Sequence, residues 1–129
     1  MKKIIVTGGL GFIGSNLIDL LIKKKFFVIN IDKATYSSNF YNVKDFESSK
    51  KYKFIRLDIR DKRIKNILFK YKPSGIFNLA AETHVDRSID NPDSFIQSNI
   101  VAVYNLLENF RHFTKKNKCK LIHISTDEV

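Results

Sequence analysis

Thr7-Gly8-Gly9-Leu10-Gly11-Phe12-Ile13-Gly14 is the stretch that decides the fold. Before it, Lys2-Lys3-Ile4-Ile5-Val6 is a short β-branched run without polar alternation. Such a run predicts a strand over Met1 to Thr7, buried on both faces of a parallel sheet. After it, from Phe12 to about Lys24, apolar residues recur at Ile13, Leu17, Leu20 and Leu21, which is helical spacing. Phe26 to Ile31 is a second apolar run, and it ends at Asp32. Strand, glycine turn, helix and strand thus follow one another. The glycines read in two registers: Gly-x-Gly-x-x-Gly at Gly9, Gly11 and Gly14, or a register that takes Gly8 as the first glycine. Lack of Cβ lets the chain turn tightly and lets a pyrophosphate approach the backbone, and the helix N-terminus that follows supplies N–H groups and a positive pole. A glycine pattern alone is weak; between a strand and a helix it is specific.

The rest of the chain continues the alternation. Thr35 to Lys51 is polar and predicts a loop with a short helix near Asn42 to Phe46. Tyr52 to Leu57 predicts a third strand, and Arg60 to Tyr71 a helix with Ile64, Ile67 and Leu68 inward. Pro73-Ser74-Gly75 is a turn, and Ile76 to Ala80 a fourth strand. Asn91-Pro92 starts a helix that runs to about Thr114, with Ile96, Ile100, Val103, Leu106, Leu107 and Phe110 on one face. Lys120 to Ser125 is a fifth strand. The fold class is α/β: a Rossmann-like doubly wound parallel sheet of five strands in the order 3-2-1-4-5, one dinucleotide-binding domain over residues 1–129.

Composition narrows the function classes. With 129 residues and 43% apolar content the chain supports one compact domain and argues against disorder. No apolar run is long enough to span a membrane. Met1-Lys2-Lys3 and the apolar run after it are broken by glycines, then by Asn16 and Asp19, so they read as a strand and not as a signal peptide. A cytoplasmic location is the expectation. The single cysteine, Cys119, fits a reducing compartment and reads as a small residue near a strand start, not as a nucleophile. The formal net charge is +10, but its lysines are scattered, gather at helix ends, and lack interleaved aromatics. They describe a solvated basic surface with some attraction for anionic substrates, and no nucleic-acid partner. No metal site is expected.

In such a sheet, ligands bind beyond the carboxyl ends of the strands. Asp32, which ends strand 2, suits the two ribose hydroxyls of an adenosine and repels a 2′-phosphate, which favours NAD over NADP; Lys33 beside it would tolerate that phosphate. Asp58-Ile59 after strand 3 suits an adenine amine and ring face, or else Asp58 caps the helix near Arg60. Strand 4 leads into Asn78-Leu79-Ala80-Ala81-Glu82-Thr83-His84-Val85-Asp86-Arg87-Ser88, where the alanines let a cofactor lie close to the backbone. His84 alone is more often structural than catalytic, and Asp86 and Arg87 can pair with each other. Strand 5 leads into Ser125-Thr126-Asp127-Glu128-Val129. Two adjacent carboxylates at this edge form an acid and a base if one is protonated and the other ionised; the bland reading is a frayed acidic end.

These segments, together with Asn30-Ile31-Asp32-Lys33-Ala34-Thr35-Tyr36 and Ser98-Asn99-Ile100, resemble the extended short-chain dehydrogenase/reductase superfamily. Within it the chain is most similar to the dTDP-glucose 4,6-dehydratase family. The glycine motif marks the superfamily; Thr126-Asp127-Glu128 discriminates, since sugar-nucleotide epimerases carry small residues there and GDP-mannose dehydratases carry Thr-Ser-Glu. The triplet does not separate dTDP- from UDP-glucose dehydratases. The resemblance implies NAD held by Gly8, Gly11, Phe12, Ile13 and Gly14 at the pyrophosphate, Asp32, Lys33, Ala34 and Thr35 at the ribose, and Asp58 and Ile59 at the adenine. Leu79, Ala80, Ala81, Glu82, Thr83 and Ser98 would line the groove. Thr83 and Thr126 would bind the sugar, Asp127 would protonate the departing C6 hydroxyl, and Glu128 would take the C5 proton. The implied reaction oxidises C4, loses water across C5 and C6, and reduces C6, giving a 4-keto-6-deoxy sugar. A homodimer built through two helices per subunit is implied too, and only one of these helices lies here.

The chain departs from the family in one respect. The family's Tyr-x-x-x-Lys pair, whose tyrosine takes the C4 hydroxyl proton, occurs nowhere in it. The expectation is therefore an N-terminal portion that is inactive by itself, with apolar surface open on strand 5 and the last helix. A non-catalytic NAD-binding module is the competing reading, and a nucleic-acid binder a weaker one. Purified as 129 residues and given dTDP-glucose, the chain is expected to form no keto-sugar; clear turnover would contradict this.

Overall fold

The structure is a computed structural model that describes residues 1–34, 39–80, 89–90 and 92–125. Five parallel strands form one sheet in the order β3-β2-β1-β4-β5. They are β1 (Lys3–Thr7), β2 (Phe27–Asp32), β3 (Tyr52–Arg56), β4 (Gly75–Asn78) and β5 (Lys120–His123). The order is the expected one. It places the switch of direction between β1 and β4, and the last residues of β1, β4 and β5 fall in one row: Thr7, Asn78 and His123 are register partners, with Ile31 of β2 opposite Thr7.

Helices cover both faces. Helix α1 (Phe12–Lys23) packs on one, over Ile4, Val6, Leu10, Ile18, Leu21 and Val28. Helix α2 (Ile64–Tyr71) and the long helix towards β5 pack on the other, over Ile5, Ile29, Ile31, Ile76, Leu106 and Phe113. The central strands β1 and β2 are buried almost throughout, as apolar runs without alternation require.

Element kinds match the sequence reading, while edges and faces differ in physically informative ways. In α1 the inward residues are Gly14, Ser15, Ile18 and Leu21, whereas Ile13 and Leu20 are exposed. Helix α2 begins at Ile64 and not at Arg60. Asp61 explains the delay: its carboxylate accepts from the Arg63 N–H at 2.8 Å and from the Arg63 guanidinium, so local side-chain bonds hold a turn where the helix would otherwise start. Those bonds hold the Asp61 carboxyl down at about 2. The short helix of the polar loop is a 3₁₀ turn at Phe40–Val43, two residues earlier than expected, because Asn39 Oδ1 accepts from the Tyr41 N–H at 2.9 Å and caps it.

The last helical stretch runs as α3 (Pro92–Ile96), a π-helical segment (Gln97–Val101) and α4 (Ala102–Phe113). The single apolar face expected for it is divided. Ala102, Leu106 and Phe113 are buried, while Ile96, Ile100 and Leu107 are exposed, joined by Tyr104. One apolar stripe seals the sheet, and a second faces outward. Strand β5 also leaves Ile122 exposed, followed by exposed Ile124.

Phe113 is fully buried and meets Phe69 edge to face at 5.3 Å. Phe113→Ala should lower stability by about 3–5 kcal/mol. Chemical denaturation of the variant checks this, and a loss within experimental error would show that α4 does not seal the core.

Candidate functional site

The glycine turn sits at the carboxyl edge of the sheet, at the switch between β1 and β4. Its geometry follows from which positions tolerate a side chain. Gly8 has φ +73°, and a Cβ there would lie 2.8 Å from the Ala80 nitrogen. A Cβ on Gly14 would meet the Gly8 carbonyl oxygen at 2.4 Å and the Gly9 Cα at 2.8 Å. Both are demands of the fold itself. Gly11 differs: a Cβ there would find only the Gly8 oxygen, at 3.4 Å, an ordinary contact, and its φ of −75° suits any residue. The protein leaves room at Gly11 that its own packing does not need. Gly11 is also the N-cap of α1, which has no side-chain cap and no acidic residue in its first turn. The positive pole of the helix is thus left for an external anion. Phe12 and Ile13 turn their side chains outward, 74% and 66% exposed.

Buried polar side chains hold this turn. Asn30 is the polar interruption of β2 and is fully buried. Its Oδ1 accepts from the Gly9 N–H at 3.0 Å, and its Nδ2 donates to the Tyr52 hydroxyl at 3.0 Å. Burial pushes the Tyr52 phenol up, against the opposing effect of the Asn30 bond. Asp32 Oδ2 accepts from the Leu10 N–H at 3.1 Å, and Oδ1 from the Ala34 N–H at 2.7 Å. Ala34 adopts φ +58°, a left-handed turn that brings its N–H back to Asp32. The carboxylate expected to meet a ribose therefore also fixes the backbone on both sides of it. On the β4 side, Thr7 Oγ1 accepts from the Leu79 and Ala80 N–H groups at 3.2 Å each and donates to Asn78 Oδ1. Asn78 Nδ2 in turn lies 3.1 Å from His123 Nδ1.

The structure brings Gly8, Gly11, Phe12, Ile13, Gly14, Asp32, Lys33, Ala34, Leu79 and Ala80 to one edge. Asp58 stands further along it, where its carboxylate holds a local turn with Arg60 and does not cap α2, whose N-terminus has no side-chain cap. Its Oδ1 accepts from the Arg60 N–H at 2.9 Å, and its Oδ2 pairs with the guanidinium at 2.7 Å. Burial works to raise the Asp58 carboxyl, but the Arg60 bonds outweigh it and hold it below its usual range. Ile59 is turned into the core, and its carbonyl accepts from Asn105 at 2.6 Å. Its side chain thus packs inward and does not present the ring face read from the sequence. Thr35, Ala81, Glu82, Thr83, Thr126, Asp127 and Glu128 lie outside the described residues, as do His84 to Ser88 and the side chain of Ser98. Cys119 is half-buried, and burial pushes its thiol up to about 11, which keeps it protonated at neutral pH. Among the described residues no group of His, Cys, Asp and Glu could hold a metal, and no helix is long and apolar enough to cross a membrane.

Sequence reasoning missed Thr7, Asn30, Asn78 and His123 as a supporting layer. The signal was present: Asn30 and Asn78 each interrupt an apolar run in a strand meant to be buried on both faces. A buried carboxamide persists there only if its partners are supplied.

Fold and turn together define a doubly wound α/β domain with an anion-receptive loop at its topological switch point. The sequence profile described as GDP-mannose 4,6 dehydratase matches residues 5–129, and the chain belongs to that family. A dTDP-glucose 4,6-dehydratase of Haemophilus influenzae is 48% identical, covering 100% of this chain and 40% of its own length. The crystal structure of a Streptomyces venezuelae dTDP-glucose 4,6-dehydratase with NAD and TYD bound superposes with a TM-score of 0.89 at 32% identity, over 98% of this chain and 40% of its own. A Bacillus anthracis dTDP-glucose 4,6-dehydratase in complex with NAD superposes at 0.86 with 31% identity, over 100% and 39%. The chain therefore spans about two fifths of the relatives it matches.

Gly11→Ala and Gly14→Ala separate the two demands on the turn. Gly14→Ala should cost about 3 kcal/mol or more, since both contacts are backbone. Gly11→Ala should stay within about 0.5 kcal/mol of the parent and still lose about tenfold or more in NAD affinity. Thermal melts with and without NAD read both; unchanged NAD binding in Gly11→Ala would remove the ligand from this turn.

Proposed function

We propose that the protein carrying this chain is an NAD-dependent nucleotide-sugar 4,6-dehydratase, with dTDP-glucose as substrate. This chain would supply the cofactor half and the acid–base pair. The observation that carries the reading is the turn: a glycine the fold does not require, at an uncapped helix N-terminus, beside a carboxylate that ends β2. The relatives' names, and the NAD in two of the superposed structures, support it.

The residues at hand fit NAD. The α1 N-terminus would meet the pyrophosphate through the Phe12 and Ile13 backbone. Asp32, with Lys33, Ala34 and Thr35, would hold the adenosine ribose. The Asp32 oxygens accept the Leu10 and Ala34 N–H groups, which fixes the carboxylate at the end of β2. When bound, NAD supplies the reversible oxidation of the sugar. Asp58, beside its Arg60 partner, would approach the adenine amine, and Leu79, Ala80, Ala81, Glu82, Thr83 and Ser98 would line the groove. Thr83 and Thr126 would hold the sugar hydroxyls. Asp127 would give its proton to the departing C6 oxygen, and Glu128 would accept the proton from C5. That division needs one carboxyl neutral and one ionised at the working pH. The partner is a second copy of the same protein, supported by the outward stripe of Ile96, Ile100, Tyr104 and Leu107.

The test uses the full-length protein with NAD. It should convert dTDP-glucose to a 4-keto-6-deoxy sugar, run as a dimer in light scattering, and leave UDP-glucose largely unreacted. Asp127→Asn should lower kcat about a hundredfold or more with NAD binding retained. NAD-dependent stabilisation without turnover of either sugar would instead make it a cofactor-binding module.

A further inference from the structure

The hydrogen bonds across the ends of β1, β4 and β5 have a fixed direction. Backbone N–H groups can only donate, so the Ala80 N–H and the Leu79 N–H, which also reaches the Thr7 carbonyl oxygen at 3.2 Å, make the Thr7 hydroxyl an acceptor. With its lone pairs so used, its proton points to Asn78 Oδ1. That sets the Asn78 carboxamide, leaving Nδ2, a donor, against His123 Nδ1 at 3.1 Å. His123 Nδ1 must then be bare, and the ring proton sits on Nε2. Thr7 and Asn78 are 0% and 1% exposed, so no water competes for the inner bonds, while His123 is exposed and is set only by the Asn78 side of its ring. Thr7, Asn78 and His123 also share one register row, which puts all three side chains on the same face of the sheet. Three residues after His123 the chain reaches Thr126-Asp127-Glu128.

We propose that Thr7, Asn78 and His123 form a positioning relay that locks His123 as its Nε2–H tautomer and ties the end of β5, which leads into the acid–base pair, to the glycine turn. The relay links the strand that carries the chemistry to the loop that carries the cofactor. Its catalytic consequence rests on the dehydratase reading above; its hydrogen-bond order does not. In the relay His123 acts through position: as a bare acceptor it holds the end of its strand.

Two measurements on the full-length protein decide it. The first is the ¹⁵N spectrum of the ring nitrogens in histidine-labelled protein, with His123 assigned by loss of its signal in His123→Asn. A free neutral imidazole already favours Nε2–H, so the deciding sample is Asn78→Asp. There a carboxylate oxygen replaces the donor, and His123 Nδ1 should acquire a proton. The second compares His123→Leu with His123→Asn, whose Oδ1 takes the place of Nδ1. His123→Leu should lose about tenfold in kcat, the worth of one placing hydrogen bond, with KM unchanged, and His123→Asn should recover most of it. Protonated Nδ1 in the parent, no change of tautomer in Asn78→Asp, or equal kcat in His123→Leu and the parent would each overturn the relay. A parent inactive on nucleotide sugars would sink the dehydratase reading, while the spectra still decide the hydrogen-bond order.

Discussion

The close approach of Gly8 to the end of β4 is the constraint on which the rest of the structure depends. At φ +73°, with the Leu79–Ala80 backbone where a Cβ would stand, Gly8 lets the loop after β1 lie directly against the loop after β4. Helix α1 after β1 and the last helix, α4, cover opposite faces of the sheet. The contact of the two loops gives the sheet one continuous polar edge. Without it the Thr7 hydroxyl would not reach the Leu79 and Ala80 N–H groups just after β4.

Around that contact the fold satisfies its polar groups with few side chains used several times. Asn30 serves Gly9 and Tyr52, Asp32 serves Leu10 and Ala34, and Thr7 serves Leu79, Ala80 and Asn78. No buried side-chain nitrogen or oxygen among the described residues lacks a partner. An unpaired buried group costs about 1–3 kcal/mol, so each of these bonds constrains the loop as well as stabilising it. The result is preorganisation: the helix N-terminus and the carboxylate of Asp32 are held in place by the protein's own bonds before any ligand arrives.

Much of this was legible in the sequence. Short apolar runs alternating with helical spacing predicted five parallel strands, and the glycines between the first strand and helix marked the ligand edge. What escaped was set by local competition. Asp61 and Asn39 moved helix starts by bonding nearby backbone, an effect that hydrophobic spacing does not encode. The apolar face of the last helix was read as one because spacing counts apolar residues without counting partners. Ile96, Ile100 and Leu107 are apolar for a surface other than the sheet. At Asp58 the sequence offered two roles, and the nearer partner, Arg60, took the carboxylate. The supporting amides escaped because each partner lies 21 to 71 residues away along the chain.

The carboxamide of Asn30 stands where a side chain on Gly9 would have to be: a Cβ there would fall 2.2 Å from Asn30 Oδ1. Positions 9 and 30 thus occupy a single volume between them. Evolution can vary either residue only by consulting the other, so the two should drift as one site across relatives. A sequence that put a larger residue at 9 would have to give up the amide at 30, and with it the bond that reaches Tyr52 on the neighbouring strand, and would also have to move Ile18, whose Cδ1 lies 2.4 Å from the same point.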